Sequence, residues 1–467
     1  MITFLTPSAQ SSLTGGASGA VMVPQTLRLG DTVVLRAEPQ YYNTYAAYDW
    51  RTSRTEFLTS REYHALQHIY ENAADTREVA AIARMEDGAC RRFLQRMVKE
   101  GYVTRAEEPG TPPPARSPVD PALFAPFPIP FLSAPTSVDV FMTSRCNLQC
   151  VHCFASREDE EARDLSFHEL EALFTQLERM GVMEVRLTGG EPLLHPAIQP
   201  LLASLQRRRF RKVLITNGTT VDEGTARRLQ EAEVIPTVSL EDVDAEAHDA
   251  FSGVAGSFHR TLAGLQHLQA AGVPYGINCC LHRGNLDRWE ALIKLAIRWG
   301  AARIAFLDLK GVGRMRQHRE WMPAWSTYQR LLDALRLAQA RYRKRIDVSL
   351  DVFLHCQPLR ESMHERMRGY VSCQAGINRL TIDSDATVYP CNLVLSDPRW
   401  AMGNLRTETL AGIWFSKKWL FFRGGVKITD LPTCRSCSKL STCRDVYCRL
   451  RPYIDTNDAL APSPTCQ

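Results

Sequence analysis

From residue 137 onward the chain alternates short apolar runs with amphipathic stretches. SVDVFMT is followed by SFHELEALFTQLERMG, EVRLTGG by PAIQPLLASLQRR, and KVLITNG by EGTARRLQEA; then come VIPTVSL, SFHRTLAGLQHLQAAG, PYGINCCL, LDRWEALIKLAIRWG and RIAFLDL. Apolar residues at three- and four-residue spacing mark helices, whereas short apolar runs bounded by Gly, Asn or Asp mark buried strands. About six strands alternating with helices predict an α/β unit on a parallel sheet with right-handed crossovers, open or closed into a partial barrel. Ser166 and Glu169 have the spacing of a capping box that opens the first helix. Functional residues in such a sheet belong just after the strand C-termini.

The flanks follow other patterns. Residues 1–108 place β-like runs (TLRLG, TVVLRAE, YYNTYAAYD) ahead of three helical patterns (SREYHALQHIYEN, TREVAAIAR, DGACRRFLQRMVKEG), which predicts a small α+β unit in which GYVT is a candidate wing. Residues 109–135, PGTPPPARSPVDPALFAPFPIPFLSAP, are so rich in proline that they predict an extended linker. The α/β unit then covers 136–340, a bridging segment 341–371, and a cysteine-rich region with short strands such as RLTIDSDATVYPC covers 372–467. No internal repeat is present.

Charge and composition change this picture little. Lys and Arg total 56 against 51 Asp and Glu, a net +5 with no basic block, which gives no support for bulk nucleic-acid or lipid affinity. No run of eighteen apolar residues and no basic start followed by an apolar core occur, so the expectation is a cytoplasmic protein with no membrane span. In that reducing compartment, 14 cysteines point to metal ligands rather than disulfides.

Their clustering carries the chemistry. TSRCNLQCVHC, directly after the first strand, offers Cys146, Cys150 and Cys153. Three thiolates at this spacing wrap three corners of a cubane cluster and leave one iron open to a substrate; a three-cysteine zinc loop is the alternative on spacing alone. After the next strand come Gly189, Gly190, Glu191 and Pro192, where glycines allow backbone carbonyls to approach an ammonium group. Asn217 and Ser239 follow the next two strands and offer polar side chains at the same rim.

Taken in order, CNLQCVHC, TGGEP, ITNG, VSLEDVDAEAHDAFSG and GSFHRTLAGLQHLQAAG make residues 137 to about 315 resemble the radical S-adenosylmethionine (radical SAM) core. The resemblance implies a partial (β/α)6 barrel and a [4Fe–4S] cluster on Cys146, Cys150 and Cys153. It further implies that S-adenosylmethionine is cleaved there to a 5′-deoxyadenosyl radical, with an electron donor such as flavodoxin or ferredoxin. Gly189, Gly190, Glu191 and Pro192 would line the methionine amino group, and Asn217 and Ser239 would fall at nucleotide-contact positions. Asp308, ending RIAFLDL, is a candidate base near the barrel mouth, with a structural carboxylate as the alternative.

The C-terminal cysteines resemble the SPASM extension of such enzymes, which holds two auxiliary clusters and so brings the expected total to three. By position Cys434, Cys437, Cys443 and Cys466 would bind one and Cys373, Cys391 and Cys448 the other, with Cys356 or an open iron completing it. The sequence departs from the family pattern in two places: Ala386 stands where the family has Gly, and Cys448 follows Cys443 by one residue more than usual. Cys90, Cys279 and Cys280 read as buried thiols, and on a strand only one of Cys279 and Cys280 can face the interior.

Residues 1–108 look winged-helix-like, and Arg91, Arg92, Arg96 and Lys99 raise a DNA-binding reading that would make the protein an iron–sulfur regulator; Glu86, Asp87 and Glu100 dilute that charge. In order and size the unit more closely resembles the PqqD-like peptide-recognition element (RRE) of enzymes that modify ribosomally made peptides, which implies a precursor peptide held by its leader. The expectation is therefore a radical SAM/SPASM maturase that oxidatively modifies or crosslinks such a peptide, with a sulfatase-maturase-like enzyme acting on a protein Ser or Cys as the alternative.

Overall fold

The computed structural model describes residues 27–38, 44–72, 74–105, 119–155, 164–351, 369–438 and 448–462. Cys356, Cys443 and Cys466 lie outside these residues.

The N-terminal unit begins with β1 (Leu27–Leu29), β2 (Val33–Glu38), β3 (Thr44–Asp49) and β4 (Arg54–Leu58), continues through α1 (Ser60–Asn72), α2 (Thr76–Ala83) and α3 (Asp87–Lys99), and ends in β5 (Val103–Arg105). β2, β3 and β4 form an antiparallel sheet in that order. The candidate wing GYVT forms none: Val103–Arg105 pairs antiparallel with Leu27–Leu29, because a three-residue strand finds its ladder in the segment that also meets α1. Leu66, Ile69, Val79, Phe93, Leu94 and Met97 project from the three helices into one core.

The α/β unit runs β6 (Ser137–Thr143), α4 (Phe167–Arg179), β7 (Glu184–Gly189), α5 (Ile198–Leu205), β8 (Arg211–Thr216), α6 (Glu223–Glu231), β9 (Val234–Ser239), α7 (Ala245–Ser252), α8 (Ser257–Ala270), β10 (Gly276–Leu281), α9 (Trp289–Arg298), β11 (Arg303–Asp308), α10 (Trp325–Tyr342) and β12 (Asp347–Asp351). The capping box forms: Ser166 Oγ accepts from the Glu169 N–H at 3.2 Å while the Glu169 carboxylate accepts from the Ser166 N–H at 2.7 Å. Strands β6 to β12 lie parallel in chain order, so the six expected strands gain a seventh, β12, from the bridging segment. Alternate strand residues such as Val138, Val140, Val185 and Leu187 pack outward against the helices.

The C-terminal region holds β13 (Tyr370–Ser372), β14 (Arg379–Ile382), β15 (Thr387–Tyr389), β16 (Gly403–Asn404), α11 (Leu410–Trp414), β17 (Arg423–Lys427) and α12 (Leu450–Thr456). β14 pairs parallel with β6, and β15 and β16 follow antiparallel, so this region extends the barrel sheet to ten strands.

The described part of the proline-rich segment 109–135 packs against the C-terminal region. Phe127, Ile129, Phe131, Leu132 and Ala134 are buried, and the Leu132 N–H donates to the Ile377 carbonyl at 3.1 Å. In PFPIPF the prolines ask for no ladder partner, while the apolar residues between them bury against the C-terminal region. Arg423, itself fully buried, stacks 3.5 Å above the Phe131 ring and donates to the carbonyls of Gly376 and Trp414 at 2.6 and 2.7 Å.

The N-terminal unit is docked. The Arg36 guanidinium donates to the Ala134 carbonyl at 2.7 Å, and Glu38 accepts from the Ser133 N–H at 2.7 Å. Trp50 lies over the Lys212 ammonium at 4.5 Å, Arg51 pairs with Glu233 at 2.7 Å, and Arg211 donates to Ser53. All of these barrel partners stand at or just before the first residues of β6, β8 and β9, the N-terminal rim of the barrel.

Candidate active site

The loop that carries Cys146, Cys150 and Cys153 leaves β6 at the opposite, C-terminal rim and is fastened through its backbone to three strand-end connections. The Gly190 N–H donates to the Thr143 carbonyl at 2.8 Å and the Glu191 N–H to the Arg145 carbonyl at 2.7 Å. The Gln149 and Val151 N–H groups donate to the Ser252 and Phe251 carbonyls at the end of α7, and the Arg314 N–H donates to the Cys153 carbonyl at 3.1 Å. Two of these approaches require glycine: a Cβ on Gly190 would meet the Arg145 oxygen at 2.3 Å, and one on Gly313 would meet the Cys153 oxygen at 2.1 Å. The paired glycines after β7 thus let the cysteine loop's own backbone come close, a purpose beyond the ligand approach expected for them.

None of the three thiols is in a disulfide, and Cys146 and Cys153 lie near enough to Cys150 to act on its charge. Burial pushes the Cys150 thiol up, and Cys153, Glu241 and Cys146 push it further in the same direction. Burial likewise raises the Cys146 thiol, and thiols that resist ionisation in this way are relieved by a cationic centre, which deprotonates a coordinating thiol outright. This donor set fits three corners of an iron–sulfur cube.

Glu191 is fully buried, and its carboxylate accepts from the Asn217 N–H at 2.7 Å, the Thr216 hydroxyl at 2.7 Å and the Leu193 N–H at 3.1 Å. Its side chain therefore ties the end of β8 to the turn that follows β7. Pro192 is buried at the first position of that turn. Asn217 donates to the Asn147 side-chain oxygen at 2.9 Å and accepts from the Thr219 N–H at 2.9 Å, so its amide braces the cysteine loop. Ser239 is half-buried on the lumen side of β9, next in register to Asn278 of β10.

Cys279 packs outward in the main core, while Cys280 belongs with Phe251, Leu309 and Met315 beneath the cysteine loop, as the strand alternation required. Asp308 shares the outward register of Ile304 and Phe306 and holds Lys310 through both oxygens at 2.6 Å. That favours the structural carboxylate over the base.

Two residues that no motif singles out meet here, His152 within the loop and Glu241 after β9. His152 stacks on Phe251, which stacks on His282, with centroids 4.7 and 4.1 Å apart. His152, Glu241 and Cys280 bring their donor atoms within 4.8 Å of one another. Burial lifts the Glu241 carboxyl to about 8, and the Cys280 N–H donates to it at 2.7 Å. Only their neighbourhood to CVHC and VSLED hinted at them.

A cavity of about 170 Å³ opens beside the loop, lined by Phe154, Gly189, Gly190, Arg316, Asp383 and Leu393 among others. It therefore joins the cysteine loop to the segment that follows Cys391. Burial raises the Cys391 thiol, and Cys373 and Cys448, which lie near it, raise it further. Cys437 and Cys434 share a turn, the Cys437 N–H donating to the Cys434 carbonyl at 3.1 Å. Ala386 adopts φ +70°, the left-handed conformation that explains the family's glycine at this place.

Residues 140–296 match the model of the Radical SAM superfamily and residues 373–438 that of an iron–sulfur cluster-binding domain, SPASM. Mycofactocin maturase MftC of Mycobacterium ulcerans is 30% identical over 339 residues, which cover 72% of this chain and 88% of that protein. The chain belongs to the radical SAM superfamily. The AdoMet-dependent heme synthase of Methanosarcina barkeri is 29% identical over 360 residues, 72% of this chain and 98% of that protein. Among solved structures, Streptococcus suis SuiB bound to its precursor peptide SuiA superposes with a TM-score of 0.70 at 16% identity, covering 94% of this chain and 99% of SuiB. As a radical SAM/SPASM protein the chain is an enzyme whose cofactors are S-adenosylmethionine and [4Fe–4S] clusters. Among the described residues no helix is long and apolar enough to cross a membrane.

Proposed function

We propose that this radical SAM/SPASM enzyme is a maturase that holds a ribosomally made precursor peptide by its leader and oxidatively modifies it, forming a crosslink within it. The observation that carries the reading is the docked three-helix unit ahead of the barrel. A heme-synthase-like chain accounts for 72% of this protein, whereas the likeness to SuiB extends over 94% of it and so takes in that unit. β4 has a neighbour on one side only among the described residues, and Phe57 on it is 45% exposed. An unpaired edge of this kind accepts an extended peptide as an added strand, with main-chain hydrogen bonds giving affinity and alternate side chains giving specificity.

The DNA-binding alternative loses one of its cations, because Arg96 is bound by both Glu56 and Glu62. When bound, the first cluster and S-adenosylmethionine supply a hydrogen-abstracting radical. Around it Cys146, Cys150 and Cys153 hold the cluster, the Gly189–Gly190 backbone fixes the loop, and Ser239 meets the nucleotide. The cavity presents the peptide between that loop and the group Cys373, Cys391 and Cys448, which with Cys434, Cys437, Cys443 and Cys466 would bind the auxiliary clusters and receive the substrate's electron. A cytoplasmic flavodoxin or ferredoxin is the electron source.

Two measurements test the reading. Replacing Cys146, Cys150 and Cys153 with Ala should abolish 5′-deoxyadenosine formation, with about eight of about twelve irons retained per reconstituted chain. Titrating the enzyme with the short peptide encoded beside its gene should give micromolar or tighter binding that depends little on salt, whereas duplex DNA binding would weaken steeply as salt rises. Salt-sensitive DNA binding without peptide binding would reject the maturase in favour of the regulator.

A further inference from the structure

The peptide-recognition unit and the cysteine loop stand at opposite ends of the barrel. Trp50, Arg51 and Ser53, in the β3–β4 turn, press against Lys212, Glu233 and Arg211 at the N-terminal rim, while the cysteine loop and the cavity beside it lie past the strand C-termini. β7 through β11 have six residues each, so the barrel wall is about 20 Å tall at ~3.3 Å per residue. Charged and polar side chains stand in the lumen toward the docked unit: Arg186 pairs with Asp139 at 3.3 Å, and Arg303 donates to Ser349 at 2.6 Å. A peptide held on the free edge of β4 therefore has the height of the barrel to cover before it reaches the cavity.

Resting on the maturase reading above, we propose that the precursor spans the barrel from end to end, so that its leader and its reactive residue are separated by an obligatory spacer. The height alone requires about six extended residues, and that number is the minimum spacer. The docked unit serves as a fixed anchor, since Arg36, Trp50, Arg51 and Ser53 fasten it at the N-terminal rim of the barrel.

The experiment uses the full-length reconstituted enzyme and the peptide encoded beside its gene, with the residues between leader and modified site deleted in steps. Leader affinity, read by fluorescence anisotropy, should stay constant through the series. Modification, read by mass spectrometry, should fall at least tenfold once the spacer drops below about six residues. Loosening the anchor with Trp50→Ala and Arg51→Ala together should restore part of the lost modification on the short-spacer peptides. Unchanged modification of a peptide with about four spacer residues would overturn the end-to-end path while leaving the maturase reading intact. Absence of leader binding at every spacer length would overturn both.

Discussion

A methyl group at position 190 would sit 2.3 Å from the Arg145 carbonyl oxygen, closer than any real contact, and the obstacle is backbone that cannot turn aside. Gly190→Ala should therefore lift the cysteine loop off its bed and cost the first cluster, about four irons per chain, with the auxiliary clusters retained; iron analysis and EPR of the reconstituted variant check it. Glu191 tests a different role at the next residue. If its carboxylate served only the methionine amino group, Glu191→Gln would leave the ligand-free protein unchanged. Since it accepts three hydrogen bonds from the protein, the amide nitrogen of Gln faces a donor instead, and the ligand-free enzyme should lose about 1–3 kcal/mol of stability in a thermal scan. The residues of the GGEP segment were visible in the sequence, but what they touch was not: a carbonyl of another loop, 45 positions away in the case of Gly190, leaves no local mark. His152 and Glu241 were missed for the same reason.

At the scale of elements, periodicity was a good guide wherever a strand or helix is long and wrapped by a core, and β6 through β11 fall where the alternating pattern put them. It failed for short pieces whose partners are distant. β12 lies in the segment whose pattern predicts only a bridge, β14 joins β6 from outside the α/β pattern, and Val103–Arg105 pairs with β1. Proline content misled in the same way, because it reports missing donors and says nothing of the Phe and Ile between them. Arg423 is what makes that segment dock: its planar guanidinium lies 3.5 Å over Phe131 and 4.5 Å over Trp414 while reaching two carbonyls. Arg423→Lys keeps the charge but loses the stacked plane and one of the carbonyl contacts, so it should destabilise the fold by roughly 2 kcal/mol, seen as a lower melting temperature. A thermal scan indistinguishable from that of the unaltered protein would mean the stack contributes nothing.

Across the whole molecule, the attachment of the N-terminal unit depends on a lysine in an unfavourable place. Lys212 is 1% exposed beneath Trp50, with the Leu205 carbonyl at 3.2 Å as its hydrogen-bond acceptor, and burial pulls its pKa from 10.5 down to about 8, partly offset by Glu233. A base whose folded pKa lies below its unfolded value costs stability at low pH, where it is charged in both states. Between pH 8 and 10.5 the unfolded chain binds the extra proton, so stability attributable to this group rises with pH through that window and is constant below it. Lys212→Met removes the titration while keeping a flexible side chain under the indole. The variant should be more stable than the unaltered enzyme below pH 8, and the gap should close by roughly 3 kcal/mol, the full linkage value, as pH rises to 10.5. Titrating tyrosines and other lysines act equally on both proteins and cancel in the difference. Unfolding both at a series of pH values checks it. A gap that stays flat across the window would mean that the contact with Trp50 compensates the ammonium for its burial, and that the unit is held on the barrel by a satisfied cation.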